Sequence, residues 1–60
     1  MKAINFRGFE FFEDETFSSI HKRLLRFFDI TEINISEISK EKLDSFLLFE
    51  KEVRKIWLSC

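Results

Sequence analysis

The sequence predicts a small α+β domain in which an N-terminal β-hairpin is followed by two antiparallel helices. Three observations lead to this prediction. Two short runs of strand-forming residues flank the only glycine, apolar residues then recur at helical spacing, and a second helical pattern fills the C-terminal third. The chain has 60 residues, which suits one domain, and no proline or linker-like segment marks a boundary. We therefore expect a single domain over residues 1–60.

The composition is that of a folding chain of modest stability. Apolar residues make up 45% of the sequence and nine residues are Phe, which argues against disorder. A domain of this size buries only about 60% of the surface that its unfolded chain exposes. Cys60 is the only cysteine, so a disulfide within the chain is excluded and the ligands of a structural zinc site are missing. We expect neither a metal nor another cofactor.

Charge and hydropathy exclude further classes of protein. The net charge of −1 gives no general attraction to nucleic acid or to anionic lipid. The apolar runs are too short to cross a membrane, so we expect no membrane partner. An N-terminal secretory signal is not visible, which predicts a cytoplasmic location.

Gly8 marks the turn of the predicted hairpin, because strand-forming residues precede and follow it. A two-residue loop at Arg7 and Gly8 gives a concrete register, with Phe6 opposite Phe9. Arg7 is a poor first residue for a type I′ turn, so a single strand with an irregular approach to the first helix stays open as an alternative. In the hairpin, one face collects four apolar residues: Ile4, Phe6, Phe9 and Phe11.

A first helix is predicted from Phe17 to Phe28. Asp14 or Thr16 can cap its start, and acidic groups there suit the positive end of the helix dipole. At 100° per residue, one side of this helix is apolar. That side carries Phe17, Ile20, Leu24, Phe27 and Phe28.

The rest of the chain predicts a connector and a long second helix. In residues 31–35 the β-branched residues Thr31, Ile33 and Ile35 occupy alternate positions, which suits a short third strand. The same short segment also suits an extended connector, and we favour the connector. Ser36 or Ser39 is expected to cap a helix that runs to about Leu58. One neighbouring helix needs a narrower apolar stripe than this helix carries, so we expect a homo-oligomer or a bound protein partner. The broad apolar side consists of Leu43, Phe46, Leu47, Phe49, Val53, Ile56 and Trp57.

Four residues of the second helix are the predicted partner-binding residues: Glu50, Val53, Arg54 and Trp57. Glu50 and Arg54 are spaced i, i+4, so they can pair within the helix, and charges inside an apolar face resemble the polar devices that fix partner choice. Trp is enriched at interface hot spots. The alternatives are an exposed edge of the core for the two charges and a core-closing position for Trp57.

Four basic residues are candidate contacts to nucleic acid or to an acidic partner: Arg7, Lys22, Arg23 and Arg26. An ordinary solvated helix face is the competing interpretation for the three that lie on the first helix. His21 is expected to fill the edge of the core, with a pH-sensitive contact as the alternative. We expect capping and solubility to explain the acidic cluster, which comprises Glu10, Glu13, Asp14 and Glu15, with an acidic docking surface as the alternative.

The β-α-α order, with Asn5 and Arg7 alternating in the first run, resembles ribbon–helix–helix repressors. This resemblance implies a dimeric DNA-binding regulator whose paired strands enter the major groove. The sequence as a whole favours another function, a small non-enzymatic regulatory or inhibitory module that binds protein through an apolar helix surface. No nucleophile, base and pocket can be assembled from these residues, so we expect no enzyme.

Overall fold

A computed structural model describes residues 2–59 and has the predicted α+β class. Cys60, the single cysteine that led us to exclude a disulfide within the chain, lies outside the described residues. No helix in residues 2–59 combines the length and the apolar character needed to cross a bilayer. The elements in chain order are strand β1 (Ala3–Phe6), strand β2 (Phe9–Phe12), helix α1 (Phe17–Phe27), a 3₁₀ helix (Glu32–Glu37) and helix α2 (Lys40–Ser59).

The hairpin has the predicted antiparallel register, in which Phe6 lies opposite Phe9. Arg7 and Gly8 form the two-residue loop with positive φ values of 50° and 88°. Two successive positive φ values are the pattern of a type I′ turn. The Asn5 side chain accepts a hydrogen bond from the Gly8 N–H at 3.3 Å. The turn therefore forms although Arg7 is unfavourable in it, because packing of the strands and this side-chain bond support the same register.

Helix α1 begins and ends with recognisable capping structures. The Thr16 hydroxyl oxygen accepts an N–H of the first turn at 3.3 Å. At the other end, Ile30 N–H donates to the Leu25 carbonyl (2.7 Å) and Asp29 N–H donates to the Arg26 carbonyl (3.0 Å). These two bonds define a Schellman motif, in which the usual residue at the left-handed position is glycine. Here that position is held by Asp29, with φ 58°.

Residues 31–35 do not form the third strand that was an alternative for them. A strand would place Ile33 and Ile35 on the same face, but Ile33 is 91% exposed and Ile35 packs against the core. In the 3₁₀ helix that forms instead, residues three apart share a face. Ile35 in this helix and Ile38, the residue just after it, both pack against the core. The favoured connector is correct, but it is helical rather than extended.

Helix α2 begins after Ser39, as predicted, and the Ser39 hydroxyl accepts an N–H of its first turn at 3.4 Å. The two α-helices are antiparallel. The ring of Phe28, just after α1, lies 5.6 Å from that of Phe46 in the first half of α2. The ring of Phe17, at the start of α1, lies 5.8 Å from that of Trp57 near the end of α2.

The core lies between the hairpin and the facing sides of the two helices, and aromatic rings dominate it. The Phe49 ring lies 4.9 Å from Phe6, 5.3 Å from Phe28 and 5.7 Å from Phe27, centroid to centroid. Such contacts each add about 0.5–1.5 kcal/mol beyond the area they bury. The side chains that are almost wholly buried are Phe11, Phe46, Ile20, Leu24 and Val53.

Candidate functional site

The four predicted partner-binding residues of α2 do not share one exposed surface. Val53 is 0% exposed and belongs to the core, so the prediction that it contacts a partner is wrong for the folded chain. Glu50 and Trp57 are half-buried, and each contacts another element. Arg54 is exposed, with its guanidinium 5.3 Å above the ring of Phe17.

Glu50 pairs with His21 of α1 rather than with Arg54. Glu50 Oε2 contacts His21 Nδ1, and the two side chains are 22% and 32% exposed. The His21 ring also packs edge-on against Phe46 at 5.7 Å. No ion pair joins Glu50 to Arg54 within residues 2–59. His21 thus lies at the edge of the core, where its contact with Glu50 joins the two helices.

Trp57 closes one end of the core. Its ring packs against Phe17, and its indole N–H donates a hydrogen bond to the backbone carbonyl of Glu15 at 2.9 Å. A buried Trp commonly satisfies its N–H in this way. The geometry favours the core-closing alternative for this residue over an exposed interface anchor.

The carboxylate of Glu15 joins the hairpin to α1. Its Oε1 accepts the Phe12 N–H (3.3 Å) and Arg23 Nη1 (2.8 Å), and its Oε2 accepts the Ser19 hydroxyl (2.7 Å). The Glu15 side chain is only 13% exposed. Within the predicted acidic cluster, Glu15 therefore has a structural role beyond capping and solubility.

Arg23 is engaged by the fold and does not belong to a free basic surface. Besides its contact with Glu15, it donates to the backbone carbonyl of Glu10 and lies 5.4 Å above the ring of Phe9. These contacts contradict the solvated-face interpretation for Arg23. They also occupy the guanidinium that a phosphate would need.

The other predicted basic residues are more exposed. Arg7 lies above the Phe6 ring (5.1 Å), and its Nη1 is 3.6 Å from Glu52 Oε2. Lys22 and Arg26 are exposed and form no ion pair within residues 2–59. Arg26 lines two shallow grooves of about 360 and 300 Å³ on either side of it.

A different surface, on the outer side of α2, is the best candidate for a binding site. Its three leucines are exposed to 48%, 60% and 68%, in chain order. At 100° and 1.5 Å per residue, the surface covers about a third of the helix circumference over about 16 Å. We call it the leucine–cation face, and it consists of Leu47, Leu48, Lys51, Arg54, Lys55 and Leu58.

The leucine–cation face has a net positive charge. Its three cations form no ion pair within the described part of the chain. Two neighbouring acidic residues of α2 are engaged elsewhere, since Glu50 contacts His21 and Glu52 approaches Arg7. Asp44 is exposed on the same side of α2, one turn before Leu47, and forms the acidic border of this face.

Sequence reasoning missed this face because it assigned Leu47 to the core side of the helix. Leu48 lies on the opposite side of α2 from the core and is 60% exposed. The available signal was the presence of leucines on the side that carries the lysines. Of the predicted partner-binding residues, only Arg54 lies on this face.

Within residues 2–59, no group of three His, Cys, Asp or Glu side chains is placed to hold a metal ion. Comparisons with protein-family models, with curated proteins and with solved structures find no match to this chain. Function is therefore inferred from the site itself.

Proposed function

We propose that this chain is a small non-enzymatic regulatory or inhibitory module, acting in the cytoplasm, that binds another protein through the leucine–cation face. The observation that carries the proposal is the row of three exposed leucines beside three cations on one side of α2. Single exposed leucines are ordinary on protein surfaces, so the proposal depends on the grouping of these three with the cations on one side of α2.

The leucines supply the free energy of binding. Burying a leucine side chain fully is worth about 1.5–3 kcal/mol relative to leaving it exposed. Leu47, Leu48 and Leu58 retain about half or more of their exposure in the folded chain. A partner that covers them gains about half to two thirds of this energy for each leucine, without disturbing the core.

The cations determine the kind of partner. Lys51, Arg54 and Lys55 lie between Leu48 and Leu58, so a complementary surface must alternate apolar and acidic groups. An amphipathic helix whose contact side interleaves leucines with Asp or Glu has this arrangement and fits such a helix face. We therefore infer that the partner presents an acidic amphipathic helix.

DNA binding, the alternative function, is less well supported. Phosphates would neutralise the cations but leave the three leucines exposed. Arg23 is bonded to Glu15 and Glu10, so its guanidinium is engaged within the fold. Asn5 bonds to Gly8 in the turn.

Fluorescence anisotropy with three labelled probes tests the proposal. Two of the probes are helical peptides about as long as α2. The two peptides carry the same leucines, and the residues next to these leucines are Glu in one peptide and Lys in the other. The third probe is a DNA duplex. We expect the acidic peptide to bind and the basic peptide not to bind. The Leu48→Ser variant and the double variant Lys51→Glu/Lys55→Glu should each weaken binding by about tenfold or more.

The matched control is the double variant Lys22→Glu/Lys42→Glu, which makes the same charge change at two exposed lysines, one on α1 and one on the other side of α2. It should bind the acidic peptide nearly as the wild type does. Equal binding of both peptides, or binding of neither, would contradict the proposal. Binding of the duplex that falls steeply between about 50 and 200 mM salt would favour the DNA-binding alternative.

A further inference from the structure

The two edges of the hairpin differ in how their backbone groups are satisfied. On the outer edge of β2, the Glu10 carbonyl accepts the Arg23 guanidinium and the Phe12 N–H donates to the Glu15 carboxylate. The Phe12 carbonyl in turn accepts the Glu15 N–H at 3.0 Å. Side chains and the following turn therefore close this edge.

The outer edge of β1 is open. Glu13 N–H donates to the Lys2 carbonyl (3.2 Å), so these two residues form a hydrogen-bonded pair of the ladder. Because such pairs alternate along antiparallel strands, the backbone N–H and C=O groups of Ala3 and Asn5 point outward. Both residues are exposed, and β2 is the only strand beside β1 in residues 2–59.

The edge of β1 is short, but its sequence carries no charge, proline or bulge that would protect it. Natural edge strands are commonly shielded by charged residues, prolines or bulges. The strand Ala3–Phe6 contains no charged residue and no proline, and its pairing with β2 is continuous, without a bulge. An edge of this kind is a template for another strand.

We propose that β1 pairs with β1 of a second copy of this chain, antiparallel about a two-fold axis through Ile4. In this register Ala3 of each copy lies opposite Asn5 of the other, so all four outward-facing backbone groups of each strand are bonded. A two-fold axis through Ala3 or Asn5 would use fewer of them. The two hairpins then form one four-stranded sheet.

The strand is suited to pairing with itself. Lys2 is the only charged residue in residues 2–6, and in this register it lies opposite Phe6 of the other copy, so like charges do not face each other. Ile4 and Phe6 are only partly buried against the core, and the pairing continues their apolar face across the axis. A sheet of three or more strands is also more stable than an isolated two-stranded hairpin.

The first test is sedimentation of the full chain over a range of concentrations. We expect the wild type to reach twice the chain mass of 7.3 kDa. Ala3→Pro removes one outward N–H at the first residue of the strand, a position where proline is tolerated, and should shift the protein to monomer. Ala3→Val is the matched control, since it keeps the N–H and should remain dimeric. Circular dichroism shows whether each variant is folded.

The second test is cross-linking, which decides the register even if Ala3→Pro does not fold. In a Cys60→Ser background, Ile4→Cys places two cysteines across the axis at about 4.5 Å between Cα atoms, within disulfide range. We expect mild oxidation to give a disulfide-linked dimer. Asn5→Cys is the control and should cross-link far less, because Asn5 lies opposite Ala3 rather than opposite itself.

Three results would overturn the proposal. The wild type could be monomeric at every concentration, the Ile4→Cys chain could cross-link no faster than Asn5→Cys, or a folded Ala3→Pro variant could remain dimeric. A dimer that is lost in Leu48→Ser but kept in Ala3→Pro would place self-association on the leucine–cation face. The first three results do not bear on binding of the acidic peptide, so the two proposals can fail separately.

Discussion

The two helices use their outward-facing polar residues in different ways. On α1, His21 contacts Glu50 and Arg23 is bonded to Glu15, so much of the polar side holds neighbouring elements together. On α2, the cations of the leucine–cation face form no ion pair in the described residues, and the leucines beside them are exposed. A charged helix face is thus a candidate binding site only after the contacts made by its own chain are known.

The largest expected difference in the free energy of unfolding is between a substitution on the inner side of α2 and one on its outer side. Phe46 is fully buried, whereas its neighbour Leu47 is 48% exposed. Phe46→Ala should lower the free energy of unfolding by about 3–5 kcal/mol, which approaches the whole stability of a domain this small. Leu47→Ala should cost less than about 1 kcal/mol. Urea unfolding followed by circular dichroism measures both, and equal losses would place Leu47 in the core.

The next largest difference in stability is expected between two basic residues of α1. Arg23→Ala should lower the free energy of unfolding by about 1–2 kcal/mol, since hydrogen bonds to charged groups are worth more than neutral ones and this side chain is 39% exposed. Arg26→Ala, which removes a cation of the same helix without a described ion pair, should stay within about 0.5 kcal/mol. If the two variants unfold at the same urea concentration, Arg23 does not hold the hairpin to α1.

A smaller effect tests the contact of Trp57 with the start of α1. Trp57→Phe keeps an aromatic ring against Phe17 but removes the hydrogen bond to the Glu15 carbonyl. We expect a loss of about 1 kcal/mol in the free energy of unfolding, measured in urea. Trp57→Ala, which also removes the ring, should cost more. If the Trp57→Ala variant is as stable as the wild type, Trp57 does not close the core and is again a candidate interface anchor.

The smallest expected effect is a gain in stability at the end of α1. Asp29 holds a left-handed conformation that glycine adopts without strain, and its carboxylate lies at the negative end of the helix dipole. Asp29→Gly should raise the free energy of unfolding by about 0.5–1 kcal/mol. Asp29→Asn removes the charge alone and should give part of the gain. A loss of stability in both variants would mean that the Asp29 carboxylate makes a favourable contact.

The hairpin could be predicted from the sequence because its determinants are local. Gly8 and the alternating residues on either side of it specify both the turn and the register. Local sequence did not decide whether residues 31–35 form a third strand. The alternation of residues 31–35 suits a strand, but a strand forms only beside a sheet edge, and the core instead requires Ile35 and Ile38 three residues apart.

The candidate site was harder to predict, because tertiary placement decides which side of a helix is buried. The apolar breadth of α2 led to the expectation of a partner-covered surface, but of the seven residues on that side only Leu47 is exposed, and Val53 is fully buried. Glu50 has a helical neighbour at i+4 and yet pairs with His21 on the other helix. The partner of Arg23, likewise, is fixed by the turn before α1 rather than by helical spacing.

The hydrogen bonds of Glu15 limit where residues can be inserted into this chain. It bonds through its side chain to β2 and α1 and through its backbone to Trp57 of α2, so one added residue between β2 and α1 would break several contacts at once. The segment around Ile33 differs, because that side chain is almost wholly exposed and the 3₁₀ helix there has no fully buried residue. Affinity tags, reporter domains and new chain termini belong at Ile33, and the four residues from Glu13 to Thr16 should keep their number.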